Sequence, residues 1–159
     1  MLTRIISVVV VFILLYVFIE NLESLLARPK NSAGYFISIG VLLVICTTFL
    51  FGYLFSIKNY AIENGVLAIN RPIGNKSINI AEITEVRPIE KGELSGAIRL
   101  FGNGGFLGYY GKYYNRSLGH MTLYATQAKN RVLIKTMSGQ KIIISPDDLS
   151  LVDKLKSYL

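Results

Sequence analysis

Hydrophobic positions divide the chain into two parts with different patterns. Two continuous apolar runs, Ile5–Ile19 and Tyr35–Ile57, occupy most of the first 57 residues. A helix needs about 20 apolar residues to cross about 30 Å of hydrocarbon. Tyr35–Ile57 supplies 23 residues without a charge, and the shorter first run is extended by Met1–Thr3. The pattern predicts a hairpin of two transmembrane helices, over about residues 3–20 and 35–57.

The first apolar run also has features of a secretory signal, with Arg4 as its basic start. The run ends at Glu20 and Glu23, and no small-x-small cleavage site follows promptly. These residues favour an uncleaved helix. Because Arg4 and Lys58 flank the predicted hairpin, and basic residues in short loops favour the cytoplasmic side, both termini and the soluble part are expected in the cytoplasm.

From about residue 58 the chain has the alternating pattern of half-buried strands. Two alternating runs surround Asn64-Gly65, a pair that accepts positive φ, so Tyr60–Asn70 predicts a β-hairpin. Further strands are predicted at Lys76–Ile80, Ile80–Val86, Ala97–Phe101, His120–Thr126, Arg131–Thr136 and Lys141–Ser145.

The period changes to that of an amphipathic helix after the last predicted strand. The segment Ser145–Asp148 has a cap residue, a first-turn proline and two acids. Apolar residues follow at helical spacing: Leu149, Val152, Leu155 and Leu159. The predicted fold is thus a membrane hairpin over 1–57 and a β domain over 58–159. In that domain about seven antiparallel strands form a sandwich or partly open barrel, capped by a helix at about 146–158.

Charge is concentrated in one part of the predicted β domain. Between Leu94 and Pro146 there is no Asp or Glu. The basic residues of this stretch are Arg99, Lys112, Arg116, Lys129, Arg131, Lys135 and Lys141. Their total of +7 equals the net charge of the whole chain. A basic region of this kind favours anionic lipid headgroups or an acidic partner.

A glycine-rich segment lies inside the basic region. Its glycines are Gly102, Gly104, Gly105, Gly108 and Gly111. Leu107 stands where a dinucleotide-binding fingerprint needs glycine, and Tyr113 follows Lys112 where a phosphate loop needs Ser or Thr. The segment therefore predicts no nucleotide site. It predicts an ordered loop whose glycines permit positive φ or close backbone approach.

Aromatic and basic residues in and around this segment are the candidate binding residues. Rings with polar tips beside cations suit a membrane interface, a partner groove or a headgroup site. The candidate lipid- or partner-binding set is Arg99, Phe106, Tyr109, Tyr110, Lys112, Tyr113, Tyr114, Arg116 and Lys135. Stacked tyrosines would also suit single-stranded nucleic acid, but a membrane tether argues against a nucleic-acid partner.

Catalytic and metal chemistry is not predicted. The chain has one histidine, His120, and one cysteine, Cys46, so neither a disulfide nor a His/Cys metal cluster is expected. There is no Gly-x-Ser-x-Gly nucleophile elbow. The acids Asp147 and Asp148 are explained by the predicted helix start. We expect no catalytic residue, no metal and no cofactor.

Several short segments together resemble a known family. They are Tyr60–Glu63, Ile69–Gly74, Ile98–Gly108, Tyr124–Thr126, Asn130–Ile134 and Ile144–Asp148. With the order of short antiparallel strands and one C-terminal helix, they resemble the membrane-anchored bacterial pleckstrin-homology (PH) domain proteins, over about Asn59–Asp148. The resemblance implies a PH-like fold at the bacterial cytoplasmic membrane.

The expected function follows from this resemblance and from the charge. We expect a membrane-anchored, non-enzymatic binding or scaffolding module, for protein partners or for self-assembly into a homo-oligomer. The alternative is a sensor of anionic lipid headgroups, with phosphate contacts from Arg99, Lys112, Arg116 and Lys135. A more remote alternative is an enzyme that uses the glycine-rich loop.

Overall fold

A computed structural model describes residues 2–30, 32–105 and 107–159, with the backbone alone for residues 2–8 and 10. The chain divides into two compact units, Met1–Tyr53 and Leu54–Leu159. The first unit is helical, and the second is mainly β-structure.

The first unit contains helices α1, Leu2–Ala27, and α2, Ala33–Leu54. Within the described residues, α2 is the one helix that is long and apolar enough to cross a membrane, with a mean hydropathy of 2.3. The prediction of two transmembrane helices is therefore wrong for the described part of the chain. Helix α1 does not end at the acidic residues Glu20 and Glu23, as the apolar pattern predicted, but continues through them to Ala27.

The second unit contains nine strands in its described residues. They are β1 (Asn59–Glu63), β2 (Val66–Asn70), β3 (Lys76–Asn79), β4 (Ile83–Pro88), β5 (Ile98–Gly104), β6 (Tyr109–Asn115), β7 (Gly119–Ala125), β8 (Val132–Thr136) and β9 (Lys141–Ile144). They form a three-stranded sheet, β1-β2-β3, and a six-stranded sheet, β4-β8-β9-β7-β6-β5. The expected seven antiparallel strands are thus corrected to nine, and β7 and β9 pair in parallel.

The first hairpin of the β domain is confirmed. Strands β1 and β2 pair antiparallel, with Glu63 opposite Val66 across the turn. The turn residues Asn64 and Gly65 have φ of 50° and 75°. Positive φ at both central residues is the geometry that makes such a turn compatible with the twist of its strands.

Both faces of the six-stranded sheet bury apolar side chains. Its first face carries Val132, Ile134, Ile142 and Ile144, in one cluster with residues of the three-stranded sheet and of the C-terminal helix. Its second face carries Met121, Leu123, Leu133 and Ile143, packed with residues of the segment between β4 and β5. Because successive side chains of a strand alternate between faces, β8 and β9 are apolar on both sides and read as continuous apolar runs.

The C-terminal helix α3 comprises Ser150–Lys156, shorter than the predicted 146–158. Val152 and Leu155 are buried, as their spacing predicts, whereas Leu149 and Leu159 are more than half exposed. Ser145 does not cap the helix. Its hydroxyl accepts hydrogen bonds from the backbone N–H groups of Thr126 and Gln127, at 2.8 and 3.1 Å, and so joins the end of β9 to the chain after β7.

Candidate functional site

Strand β5 forms one edge of the six-stranded sheet and presents apolar side chains to solvent. Ile98, Leu100 and Phe101 are 64%, 53% and 77% exposed. In the described ranges, β6 is the only strand that pairs with β5. The register moves by one residue between Arg99 and Phe101, so Leu100 forms a bulge. An apolar, unpaired edge is uncommon in a soluble domain because it invites pairing with another chain.

The segment predicted as a glycine-rich loop is mostly a hairpin of β5 and β6. Gly102 lies directly opposite Gly111, and their φ values are 112° and 120°. A Cβ atom added at Gly111 would lie 2.7 Å from the Cα of Gly102 and would overlap the Phe101 carbonyl oxygen. The two strands therefore approach at a distance that only glycine permits. Of the candidate residues, Phe106 lies outside the described residues.

The hairpin separates the candidate tyrosines. Tyr109 and Tyr113 belong to the cluster on the second face, so Tyr110 and Tyr114 point to the first face. Tyr113 is 7% exposed, and its hydroxyl donates a 2.6 Å hydrogen bond to the Asn103 carbonyl. Burial is the main cause that raises the pKa of Tyr113. The tyrosines therefore do not form one continuous aromatic surface.

The four basic residues proposed for headgroup binding are separated as well. Lys112 alternates with Tyr113 and points to the first face, whereas Arg99, the register partner of Tyr113, belongs to the second. Lys135 follows Ile134, a residue of the first face, and so lies on the second face like Arg99. Its register partners on the neighbouring strands are Glu85 and Lys141. Arg116 lies in the turn after β6. The sequence alone does not reveal this separation.

Arg131, which was not among the candidates, contacts the candidate residue Tyr109. The Arg131 guanidinium lies over the Tyr109 ring, 4.9 Å from its centre, and its Nε donates to the Gln127 carbonyl at 3.4 Å. Burial lowers the pKa of Arg131. The positive charges of Arg99 and Arg131 both counteract the burial that raises the pKa of Tyr113. Only the acid-free composition of this region indicated Arg131 in advance.

The histidine lies in an open hollow of about 510 Å³ rather than in a catalytic constellation. His120 packs against Tyr114 in a tilted arrangement, with 5.0 Å between ring centres and 56° between ring planes. The hollow is also lined by Lys112, Thr122 and Lys141, and none of the described residues that line it carries a carboxylate. Among the described residues no group of three His, Cys, Asp or Glu side chains is placed to hold a metal.

These features describe a β-rich binding module with an open sheet edge. A family model described as Bacterial PH domain matches residues 58–158. The chain therefore belongs to the bacterial PH domain family, and the resemblance to bacterial PH domains drawn from its motifs is confirmed, without the membrane anchoring that it implied. Comparison with curated proteins gave no match, and comparison with solved structures gave none. PH domains are in general non-enzymatic binding modules, and the match supports a binding or scaffolding role in general.

Proposed function

We propose that this chain is a non-enzymatic binding module that binds an extended segment of a partner protein along the outer edge of β5. The observation that carries the proposal is the apolar edge formed by Ile98, Leu100 and Phe101. An extended peptide that adds to such an edge gains main-chain hydrogen bonds, and its alternate side chains contact the apolar residues. Exposed apolar clusters of this kind mark interaction surfaces.

Charge favours a partner protein over a second copy of the chain. Every formal charge between Leu94 and Pro146 is positive, so two copies joined edge to edge at β5 would bring two basic regions together. A segment with acidic residues would instead be attracted to Arg99 beside the edge. The proposed occupant is therefore an acidic, extended segment of another protein, and homo-oligomerisation becomes an outcome of the test.

We propose that α2 attaches the module to the cytoplasmic membrane. Its length, its lack of charge and its mean hydropathy of 2.3 support this role. A module held at a membrane meets membrane-bound partners at a raised effective concentration.

Binding of anionic lipid headgroups is the second candidate function, and the acid-free basic region favours it. It has less support than the edge because Lys112 and Arg99 lie on opposite faces of the sheet. Flotation with vesicles that contain phosphatidylglycerol, at low and high salt, tests it. Salt-sensitive association that is lost in a Lys112→Ser, Arg116→Ser double variant would support the lipid function.

A photo-crosslinking residue at position 101 tests the proposed partner site in cells. We expect a discrete product with a second, different protein from position 101. A probe at Met137 is the matched control because Met137 is 71% exposed but lies outside β5. Adding Leu100→Asp should abolish the product, and Leu100→Lys should reduce it less, because the partner segment is acidic. A product with the mass of two copies, or none at all, contradicts the proposal.

A further inference from the structure

We infer that the partner segment proposed for the edge of β5 is a carboxyl terminus, whose apolar last residue binds in a pocket beside the start of β5. The inference rests on the proposed function and names the part of the partner that is recognised. The pocket is an open hollow of about 460 Å³. Its walls come from the segment before β5, from the first residue of β5, and from the end of β6 with the turn that follows.

The place of the pocket determines which end of an added strand reaches it. Ile98 begins β5 and pairs with Tyr114 near the end of β6, and both line the pocket. A segment that runs antiparallel to β5 passes Phe101 first and Ile98 last, so its carboxyl end arrives at the pocket. Since β5 begins at Ile98, the added strand has no further edge to pair with beyond this point.

The walls of the pocket suit an apolar side chain. Ile98 is 64% exposed and Tyr114 is 39% exposed, so both present apolar surface to a ligand. Gly92 and Gly96 also line the pocket, and a Cβ atom added at either would meet no atom within 4 Å. These two glycines therefore leave open space beside Ile98 and Tyr114. An apolar side chain bound there removes the exposed apolar surface from water.

Arg116 supplies the charge that a terminal carboxylate needs. It lines the pocket and is exposed. Among the described residues the ion pairs are those of Arg87 with Glu85 and Glu93, and Arg116 takes part in neither. Glu93 also lines the pocket, but hydrogen bonds from Arg87 already hold its carboxylate. A guanidinium binds a carboxylate through two parallel hydrogen bonds, and the Ser117 hydroxyl in the same wall is a further donor.

A chain end fits this pocket better than an internal acidic residue. In a terminal residue the carboxylate and the side chain leave the same Cα atom, so a charge and an apolar group enter one pocket together. An internal aspartate or glutamate brings the charge without the apolar group. Capture of a terminal carboxylate is an established way for a protein to recognise an extended peptide.

Two pools of random nonapeptides test the inference with the full chain in neutral maltoside micelles. The pools are identical except that one has free carboxyl ends and the other has amidated ends. We expect the chain to enrich peptides with an apolar last residue from the free pool only. Arg116→Gln should reduce this enrichment about tenfold or more. Lys129→Gln removes the same charge from another exposed position and should change the enrichment less than about twofold.

Substitutions in the pocket separate a specific site from general attraction of acidic peptides. Tyr114→Ala enlarges the pocket and should shift the preferred last residue toward phenylalanine and tryptophan. Arg116→Lys keeps the charge but loses the planar fork, so its enrichment should lie between wild type and Arg116→Gln. The thermal transition of each variant checks its folding. Equal enrichment from the two pools, no enrichment from either, or equal losses in Arg116→Gln and Lys129→Gln would overturn the inference.

Photo-crosslinking in cells distinguishes failure of this inference from failure of the proposed function. A compact diazirine residue at Ser95, in the pocket wall, is compared with the probe at position 101. We expect both probes to join the same partner, and the peptide joined at position 95 to be the last peptide of that partner. A product from position 101 that contains an internal partner peptide, with none from position 95, contradicts this inference alone. No product from either position contradicts both.

Discussion

At the scale of single residues, Glu93 helps to hold the segment between β4 and β5 over the second face of the six-stranded sheet. Its carboxylate receives hydrogen bonds from Arg87 at 2.5 and 2.9 Å, and its side chain is 13% exposed. The Arg87 hydrogen bonds are the main cause that lowers the pKa of Glu93 to about 2. The Glu93 carbonyl also accepts from the buried Asn115 side chain at 2.7 Å. These contacts attach the segment between β4 and β5 to the sheet.

Acid should therefore destabilise the domain partly through Glu93. Its pKa of about 2 in the folded chain is below the ordinary value of 4.5. The ionised form thus favours folding, so the contribution is present above pH 4.5 and is lost as the pH falls toward 2. Glu93→Gln should cost about 1 kcal/mol at pH 7, since Arg87 is partly exposed. Thermal unfolding at pH 7, 4.5 and 2.5 measures this.

The control for that experiment is Glu63→Gln, an exposed carboxylate at the end of β1. It should leave both the neutral stability and the acid-induced loss nearly unchanged. An acid-induced loss in Glu93→Gln as large as in wild type would show that other groups cause the acid sensitivity.

Residue roles were the least predictable feature, because they depend on strand register. The composition identified Arg99 and Lys112 as equivalent cations, but their register places them on opposite faces. The composition did not distinguish Arg131 from the other basic residues, because the contact of Arg131 with Tyr109 joins residues that are 22 positions apart in the sequence. Such pairings are set by tertiary structure, which local patterns do not contain.

At the scale of elements, local chemistry predicted the first hairpin but not the strand β6. Asn64-Gly65 specifies a turn through its own φ values, whatever the rest of the chain does. The segment Tyr109–Asn115 has tyrosines on both faces, with Gly111 on one face and Lys112 on the other, so it lacks the apolar alternation that predicts a strand. The sequence therefore predicts a loop at this segment. Pairing with β5 and β7 makes it a strand.

Close contact between β5 and β6 predicts unequal effects of two glycine substitutions. Gly65→Ala adds a Cβ atom in open space at a φ of 75°, so it should cost about 1 kcal/mol of backbone strain. Gly111→Ala has a φ of 120°, farther from the conformations that L residues adopt, and its Cβ atom would overlap the backbone of Phe101 and Gly102, so it should cost more, about 3 kcal/mol. Chemical denaturation of the full chain in micelles measures both.

The matched comparison tests the pairing itself. If β5 and β6 pair as described, Gly111→Ala should also shift the amide signals of Phe101 and Gly102 across the strand. Equal destabilisation by the two substitutions, or shifts limited to residues 109–113, would contradict the Gly102–Gly111 pairing.

At the scale of the whole molecule, the sequence predicted the β-rich class and the C-terminal helix, and the family match agrees with both. The arrangement of strands was less predictable. Strands β7 and β9 pair in parallel, with Thr122 opposite Ile142, although β8 lies between them in the sequence. No local turn in the sequence indicates this pairing. The two-helix membrane hairpin is corrected because, among the described residues, α2 is the one helix long and apolar enough to cross a membrane.

Membrane attachment through α2 is the prediction for the complete chain. Leu43 and Val44 lie at the middle of α2 and are 61% and 67% exposed. An aspartate at the centre of a spanning helix costs about 2.5 to 3.5 kcal/mol, so Leu43→Asp with Val44→Asp should release the protein from membranes in gradient flotation after carbonate treatment. Leu26→Asp is the control, because Leu26 is 81% exposed but lies in α1 near its end. The control should float with the membranes like wild type. If the double variant floats as well, α2 is not the anchor, and the PH-like domain is held at the membrane by another part of the chain.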